Sequence, residues 1–215
     1  MTAPSAAASS WSQSQAFELD YWKNHWPYRD QPVAELQRHR HRVGEWLLEN
    51  TGFAKDAGGR FPAFRGRVLE VGCGPIGFFE LFPDAQVDAI DSLMADYARE
   101  IPFATLGKRG AATYAATDLD RMGGGYDFVV CSNVLDHTAD WMAFLEALVA
   151  AARPGGGELL IYTDFRGAPA VGHTQVYTPD QVRRALRWQG LEVTEYKLLP
   201  GNDHCDGSAF IRARR

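Results

Sequence analysis

Short apolar runs recur through the middle of the chain, each closed by glycine, proline or acidic residues. Arg67–Val71, Gln86–Ile90, Ala112–Ala116, Phe128–Ser132 and Glu158–Tyr162 are too short to be helices and too apolar to be loops. Runs of that length bounded by turn residues predict buried strands. Between them lie predicted helices at Pro75–Phe82, with Pro75 tolerated in the first turn, and at Ser92–Ile101. Another starts behind a Thr138 cap and runs to about Ala152. Thr178-Pro179-Asp180-Gln181 has the pattern of a capping box with proline at the first helical position, and its helix ends near Gly190. Leu191–Leu199 and Ser208–Ala213 predict a terminal strand pair. Strand and helix alternate, which predicts an α/β protein with a mostly parallel sheet.

The first quarter of the chain has a different rhythm. Phe17, Tyr21 and Trp22 sit at helical spacings, as do Leu36, Val43, Trp46 and Leu47, and Pro27 and Pro32 divide them into at least two helices. Met1–Gln15 is rich in alanine and serine and predicts a loose tail. The expected division is a flexible tail over 1–15, a helical cap and linker over 16–64, and a core over 65–215 within one globular unit.

Chemistry concentrates where the first strand ends. Glu70-Val71-Gly72-Cys73-Gly74-Pro75-Ile76-Gly77 carries an acid inside the strand end and then three glycines. Glycine permits positive φ and lets a ligand approach the backbone closely. A strand, a glycine turn and a helix start form a nucleotide-binding corner. Asp91 closes the second strand about twenty residues later, the spacing of a ribose-binding carboxylate. Asp88 is its neighbour and rival, but the strand phase puts Asp91 at the end.

This stretch resembles motif I of class I S-adenosylmethionine (SAM) dependent methyltransferases, in its E-x-G-x-G-x-x-G form. Dinucleotide dehydrogenases usually lack that acidic residue. Further matches follow in order over roughly residues 66–163: Ala89-Ile90-Asp91-Ser92, Ala116-Thr117-Asp118-Leu119, Tyr126 to His137, and Arg153-Pro154-Gly155-Gly156-Gly157 before Glu158. They most resemble the small-molecule branch known as types 11 and 12. The resemblance implies a Rossmann-like, doubly wound, mostly parallel sheet with an antiparallel terminal strand and an N-terminal helical cap. It implies SAM as cofactor and S-adenosylhomocysteine as its product; no metal is expected, although Asp136 and Asp164, after the fourth and fifth strands, leave a metal-dependent catechol site open. It assigns Gly72, Cys73 and Gly74 to the methionine part and Glu70 to organising that end. Asp91 and Ser92 go to the ribose, Asp118 and Leu119 to the adenine, and Asn133 to the loop behind the fourth strand. Aromatic N-terminal segments in this family can cover the cofactor, which makes Phe17–Tyr28 a candidate lid and Tyr21 a cofactor contact.

Methyl transfer from a sulfonium is an in-line displacement, so the protein must align donor and acceptor and sometimes remove a proton. His137, beside Asp136, and His173, in the loop before Thr178, are the candidate bases, with Tyr177 and Asp164 nearby. The chain has no Asn/Asp-Pro-Pro-Tyr/Phe loop, no cysteine nucleophile after the fourth strand and no Lys-Asp-Lys-Glu set, which argues against base, amide and ribose methylation.

Composition narrows the partners. A net charge of −5 gives no basic field for nucleic acid. The basic run Arg38-His39-Arg40-His41-Arg42 reads as a solvated face from which one arginine could reach the cofactor carboxylate. Cys73, Cys131 and Cys205 lack metal spacing, and free thiols fit a reducing compartment. Residues 1–10 lack the basic start and apolar stretch of a signal peptide, and no run is long enough to span a bilayer. The expectation is a cytoplasmic enzyme acting on a small-molecule acceptor, at oxygen ahead of nitrogen, carbon or sulfur, with oligomeric state open. The alternatives are a protein or RNA methyltransferase of the same fold, and a non-catalytic SAM-binding or partner-binding protein.

Overall fold

A computed structural model describes residues 6–62, 64–78, 81–104, 108–109 and 112–215. Its strands are β1 (Gly66–Val71), β2 (Ala85–Ile90), β3 (Lys108–Arg109), β4 (Ala112–Ala115), β5 (Phe128–Ser132), β6 (Glu158–Phe165), β7 (Glu192–Pro200) and β8 (Gly207–Arg214). They form one sheet in the order β3-β4-β2-β1-β5-β6-β8-β7. β4, β2, β1, β5 and β6 run parallel to one another, while β3 pairs antiparallel with β4, β8 antiparallel with β6, and β7 antiparallel with β8. Val68, Leu69, Glu70 and Val71 are all buried, as expected of a central strand covered on both faces.

The helices are α1 (Ala6–Asp20), α2 (Val33–Asn50), α3 (Met94–Glu100), α4 (Trp141–Ala151) and α5 (Pro179–Trp188). α1 runs on into a π-helical turn at Tyr21–His25. On one face of the sheet, Leu145 and Leu148 of α4 and Val182 and Leu186 of α5 pack with Leu69, Val129 and Ile161. On the other, Leu47 and Leu48 of α2 pack with Val68, Val87, Val130 and Leu160. Helices on both faces make the sheet doubly wound. The chain winds from β1 through β2 to β4, then returns to β5 on the other side of β1. That reversal opens a crevice beyond the ends of β1 and β5, where α/β proteins bind ligands.

Three local expectations differ from the structure. The Pro75–Phe82 helix lies partly outside the described residues, since Phe79 and Glu80 are not among them, and Pro75–Phe78 form turns and irregular chain instead. Asp140, not Thr138, caps α4, its Oδ1 accepting from the N–H groups of Met142 (2.9 Å) and Ala143 (3.1 Å). Thr138 donates instead to the Leu135 carbonyl, closing the 3₁₀ turn Leu135–His137. The segment expected as a tail is helical from Ala6 onward, because Ser14 and Gln15 find partners on the core. The Thr178–Gln181 capping box forms in both directions. Among the described residues no helix is long and apolar enough to cross a membrane.

Candidate active site

The glycine loop leaves β1 with Gly72 and Gly74 in the left-handed region, at φ 67° and 63°. A side chain at Gly72 would collide with Val134, and at Gly74 a Cβ would stand 3.2 Å from the Trp22 ring. The N–H groups of Gly72 and Cys73 donate to the Ile90 carbonyl at 2.8 and 3.1 Å, so the loop is tied to the end of β2. The Glu70 carboxylate turns inward and receives the Phe78 N–H at 3.0 and 2.8 Å on its two oxygens. Burial pushes its pKa up to about 7, opposed by the Arg40 charge and the Phe78 bond. Arg40 comes from α2, donates to the Ile76 carbonyl at 2.8 Å and lies 4.2 Å over the Phe78 ring. The run expected as a solvated face therefore sends one arginine to the glycine loop. His39 stacks on Tyr28 with centroids 4.0 Å apart. Arg38 pairs with Glu35 on the surface.

Asp91 stands at the exit of β2. Its Oδ2 accepts the Gly74 N–H at 3.0 Å and its Oδ1 the Leu93 N–H at 2.9 Å. Burial raises its pKa to about 6 against the pull of those two bonds. Asp88 is engaged elsewhere, by the Tyr126 hydroxyl at 2.9 Å and Arg67 at 3.2 Å. Ser92 donates to Gln15 at 2.8 Å. Asp118 is exposed and leads into the 3₁₀ turn Leu119–Arg121, where Leu119 is buried. Cys73 is wholly buried, and burial drives its thiol pKa well up, which suits a filler rather than a nucleophile. Tyr21 lies edge-on to Trp22, with centroids 5.8 Å apart.

Across the crevice, β5 is followed by Asn133, the only non-glycine residue with positive φ (57°) among those described. Asparagine tolerates this conformation better than most residues. Its N–H donates to the Tyr162 carbonyl (2.8 Å) and its Oδ1 accepts from the Asp164 N–H (3.3 Å), pinning the turn to β6. The turn delivers Asp136, which is buried. Arg166 donates to Asp136 Oδ2 at 2.7 Å, and His173 Nδ1 meets the same oxygen at 2.7 Å. Burial alone would raise the Asp136 pKa, but the His173 bond, His137 and Arg166 together hold it below the usual carboxylate range. His137 Nε2 is 3.7 Å from Asp136 Oδ1, and its Nδ1 is 3.8 Å from Glu18 Oε2. The two imidazoles face each other with centroids 4.3 Å apart. Tyr177 and Asp164 are engaged internally: Tyr177 pairs with Thr163, and Asp164 accepts from Tyr162 (2.8 Å) and Ser208 (2.7 Å).

α1 bridges the two sides. Ser14 donates to the Gly172 carbonyl at 2.7 Å, Gln15 accepts from Ser92, and Trp22 rests on Gly74 while donating to Glu18 at 2.7 Å. The sequence reading named His137, His173, Glu70 and Asp91 but not Glu18 or Arg166. Nothing in the local sequence around Arg166 marks it, because its partner Asp136 becomes a neighbour only through the pairing of β5 with β6.

Solved structures share this architecture. The N-methyltransferase NodS from Bradyrhizobium japonicum with S-adenosylhomocysteine is 20% identical, with a TM-score of 0.60 over 96% of this chain and 98% of that one. A 1,6-didemethyltoxoflavin-N1-methyltransferase from Burkholderia thailandensis, with bound 1,6-didemethyltoxoflavin and S-adenosylhomocysteine, is 17% identical with a TM-score of 0.60 over 100% and 93%. The [4+2]-cyclase SpnF is 14% identical with a TM-score of 0.61 over 100% and 97%. No curated protein sequence matches the chain. The family model described as "Methyltransferase domain" matches residues 35–196, most of the chain, and the chain belongs to that family, with its Rossmann-like class I fold.

Proposed function

We propose that the chain transfers a methyl group from S-adenosylmethionine to a small-molecule acceptor, at oxygen ahead of nitrogen. The observation that carries the donor assignment is Asp91. Each of its oxygens accepts one backbone N–H, from Gly74 or Leu93, and a carboxylate has lone pairs for further donors such as two ribose hydroxyls. Its bond to Gly74 couples those hydroxyls to the glycine loop. Gly72, Cys73 and Gly74 would hold the methionine part, and Asp118 and Leu119 the adenine. Ser92 would flank the ribose, with Tyr21 and Asn133 bordering the crevice. Glu70 acts at one remove, by holding the Phe78 N–H and so the shape of the loop. When bound, SAM supplies a methyl group already activated by a positive sulfur.

The residues of this chain then have to align the acceptor and take its proton. His173 is better placed than His137 to act as the base. Its Nδ1–H donates to Asp136, which sets the tautomer and orients the ring, leaving Nε2 to accept a proton from an acceptor hydroxyl. Neither nitrogen of His137 is that close to a carboxylate. α1 over the crevice acts as a lid that excludes water. The three cysteines are free and buried, in keeping with a reducing, cytoplasmic setting.

Calorimetry with SAM, S-adenosylhomocysteine and NAD tests the donor. The sulfur ligands are expected to bind and NAD is not; failure of both sulfur ligands overturns the assignment. With an acceptor in hand, His173→Ala is expected to lower turnover roughly 10²–10⁴-fold at unchanged SAM affinity. A wild-type rate would remove His173 from the chemistry. The SpnF likeness gives one definite second reading. SAM binding with no methyl acceptor among hydroxylated and amino compounds would favour a protein that uses this fold for other chemistry.

A further inference from the structure

Two buried polar atoms at the crevice have no hydrogen-bond partner among the described residues, Asp136 Oδ1 and His137 Nδ1. A buried carboxylate oxygen left unpaired is costly, and such atoms usually mark a water or an ion. Asp136 is 2% exposed through its side chain, and Oδ1 faces His137 while Oδ2 is held by Arg166 and His173. Ligand atoms of Asp136, His137 and His173 all lie within 4.8 Å of one another. In a tetrahedral site with bonds near 2.1 Å, ligand atoms stand about 3.4 Å apart. Asp136 Oδ1 and His137 Nε2 are already 3.7 Å apart, so an ion between them needs only small side-chain rotations.

We propose that Asp136, His137 and His173 form a binding site for one divalent transition-metal ion. Two imidazoles and one carboxylate suit zinc, cobalt, nickel or iron, and exclude magnesium and calcium, which require a shell of oxygens. The surroundings have the form of an outer shell. Glu18 lies 3.8 Å from His137 Nδ1, the ring nitrogen left over when Nε2 binds the ion, and carboxylates commonly occupy that position. Arg166 holds Asp136 Oδ2, leaving the carboxylate one oxygen for the ion. Glu18 belongs to α1, so a bound ion strengthens the contact between lid and core. An ion would also take up the His173 imidazole used for proton removal, so the loaded protein and the proton-accepting protein are alternative states. Methyl transfer itself does not depend on the ion.

The test uses the full chain, stripped with a chelator and dialysed. Cobalt is followed by its visible absorption and zinc by calorimetry. One ion per chain is expected, with a dissociation constant of micromolar or tighter, and no heat with magnesium. His137→Ala and His173→Ala are each expected to weaken cobalt binding at least tenfold, and Glu18→Gln by roughly tenfold. His39→Ala and His41→Ala, on α2, should leave it unchanged. Circular dichroism confirms that each variant is folded, so the partly exposed His137 decides the outcome even if Asp136→Asn does not fold. No binding tighter than millimolar, or full binding retained in both His137→Ala and His173→Ala, overturns the site. S-adenosylhomocysteine binding, measured on the same samples, separates failure of the metal site from failure of the methyltransferase reading.

Discussion

Glu70 is a buried carboxyl group held, among the described residues, by the Phe78 backbone amide. Its pKa of about 7 in the folded chain lies above the ordinary 4.5, so the folded state favours the protonated form. Its contribution to stability is complete below pH 4.5 and is lost as pH rises through 7. The penalty above that pH is on the order of 3 kcal/mol. Asp91, raised from 3.8 to about 6, acts in the same direction over a lower window. Glu70→Gln keeps an oxygen to accept the Phe78 N–H and removes the charge. Thermal melts should show the variant equal to wild type near pH 4.5 and more stable at pH 8; parallel pH profiles would show that the carboxyl is not ionising inside the protein. Asp91 and Asp88 make a second contrast. Asp91→Ala should weaken SAM binding by about 1.5–3 kcal/mol, the range for hydrogen bonds to a charged group. Asp88→Ala should leave SAM affinity alone and lower the melting temperature, since its partners are Tyr126 and Arg67. Calorimetry and melting on the same two proteins check both halves, and the reverse order would place the ribose on the other acid.

The element whose role depends most on position is α1. Its own sequence carries almost no amphipathic pattern, because its contacts are a few side chains rather than a stripe: Ser14 on Gly172, Gln15 on Ser92, Glu18 toward His137. The following π-helical turn places Trp22 on Gly74 and packs Trp22 and Trp26 with Leu36, Ile76, Leu93 and Tyr97. Deleting residues 1–10 leaves all of these contacts in place and should not change SAM affinity or turnover. Deleting residues 1–28 removes them all and should lower one or both, through loss of the cover over the crevice. Equal affinity and turnover in the two truncated proteins would reduce the segment to packing. α5 behaves in the opposite way. Its capping box and proline are local chemistry, so its start at Pro179 needs no tertiary help.

At the scale of the whole molecule, the site exists because the sheet changes winding direction at β1. The glycine loop and Asp91 come from β1 and β2, the Asn133–His137 turn from β5, and Arg166 and His173 from the loop beyond β6. A ligand spanning the crevice therefore ties together both halves of the fold. At one hundred times its dissociation constant, S-adenosylhomocysteine should stabilise the chain by about 2.7 kcal/mol. For a domain of this size that is a rise in melting temperature of roughly 5–10 °C. The rise should shrink in Asp91→Ala and be absent with NAD; an equal rise with NAD would return the glycine loop to the dinucleotide-binding class.

The strands other than the two-residue β3, the capping box of α5 and the glycine loop were legible from the chain itself. Buried parallel strands must be continuous apolar runs, a capping box is complete within four residues, and a left-handed turn packed against neighbouring side chains demands glycine. The position of Asp91 at the exit of β2, with Asp88 inside the strand, also followed from local phase, because a residue at a strand's end differs from one within it. What the chain did not show was decided by distance in space. The cap of α4 moved from Thr138 to Asp140 because the Leu135–His137 turn used Thr138 to close itself. The Asp136–His173–Arg166 cluster arises because neighbouring strands bring together loops some 30 residues apart in sequence. Glu18 and Arg40 are polar residues on helices, a pattern that reads as solvated surface until α1 crosses the crevice and α2 turns one arginine onto the Ile76 carbonyl. Local sequence determines which elements form and where they end; which side chains share a site depends on the order in which the strands pair.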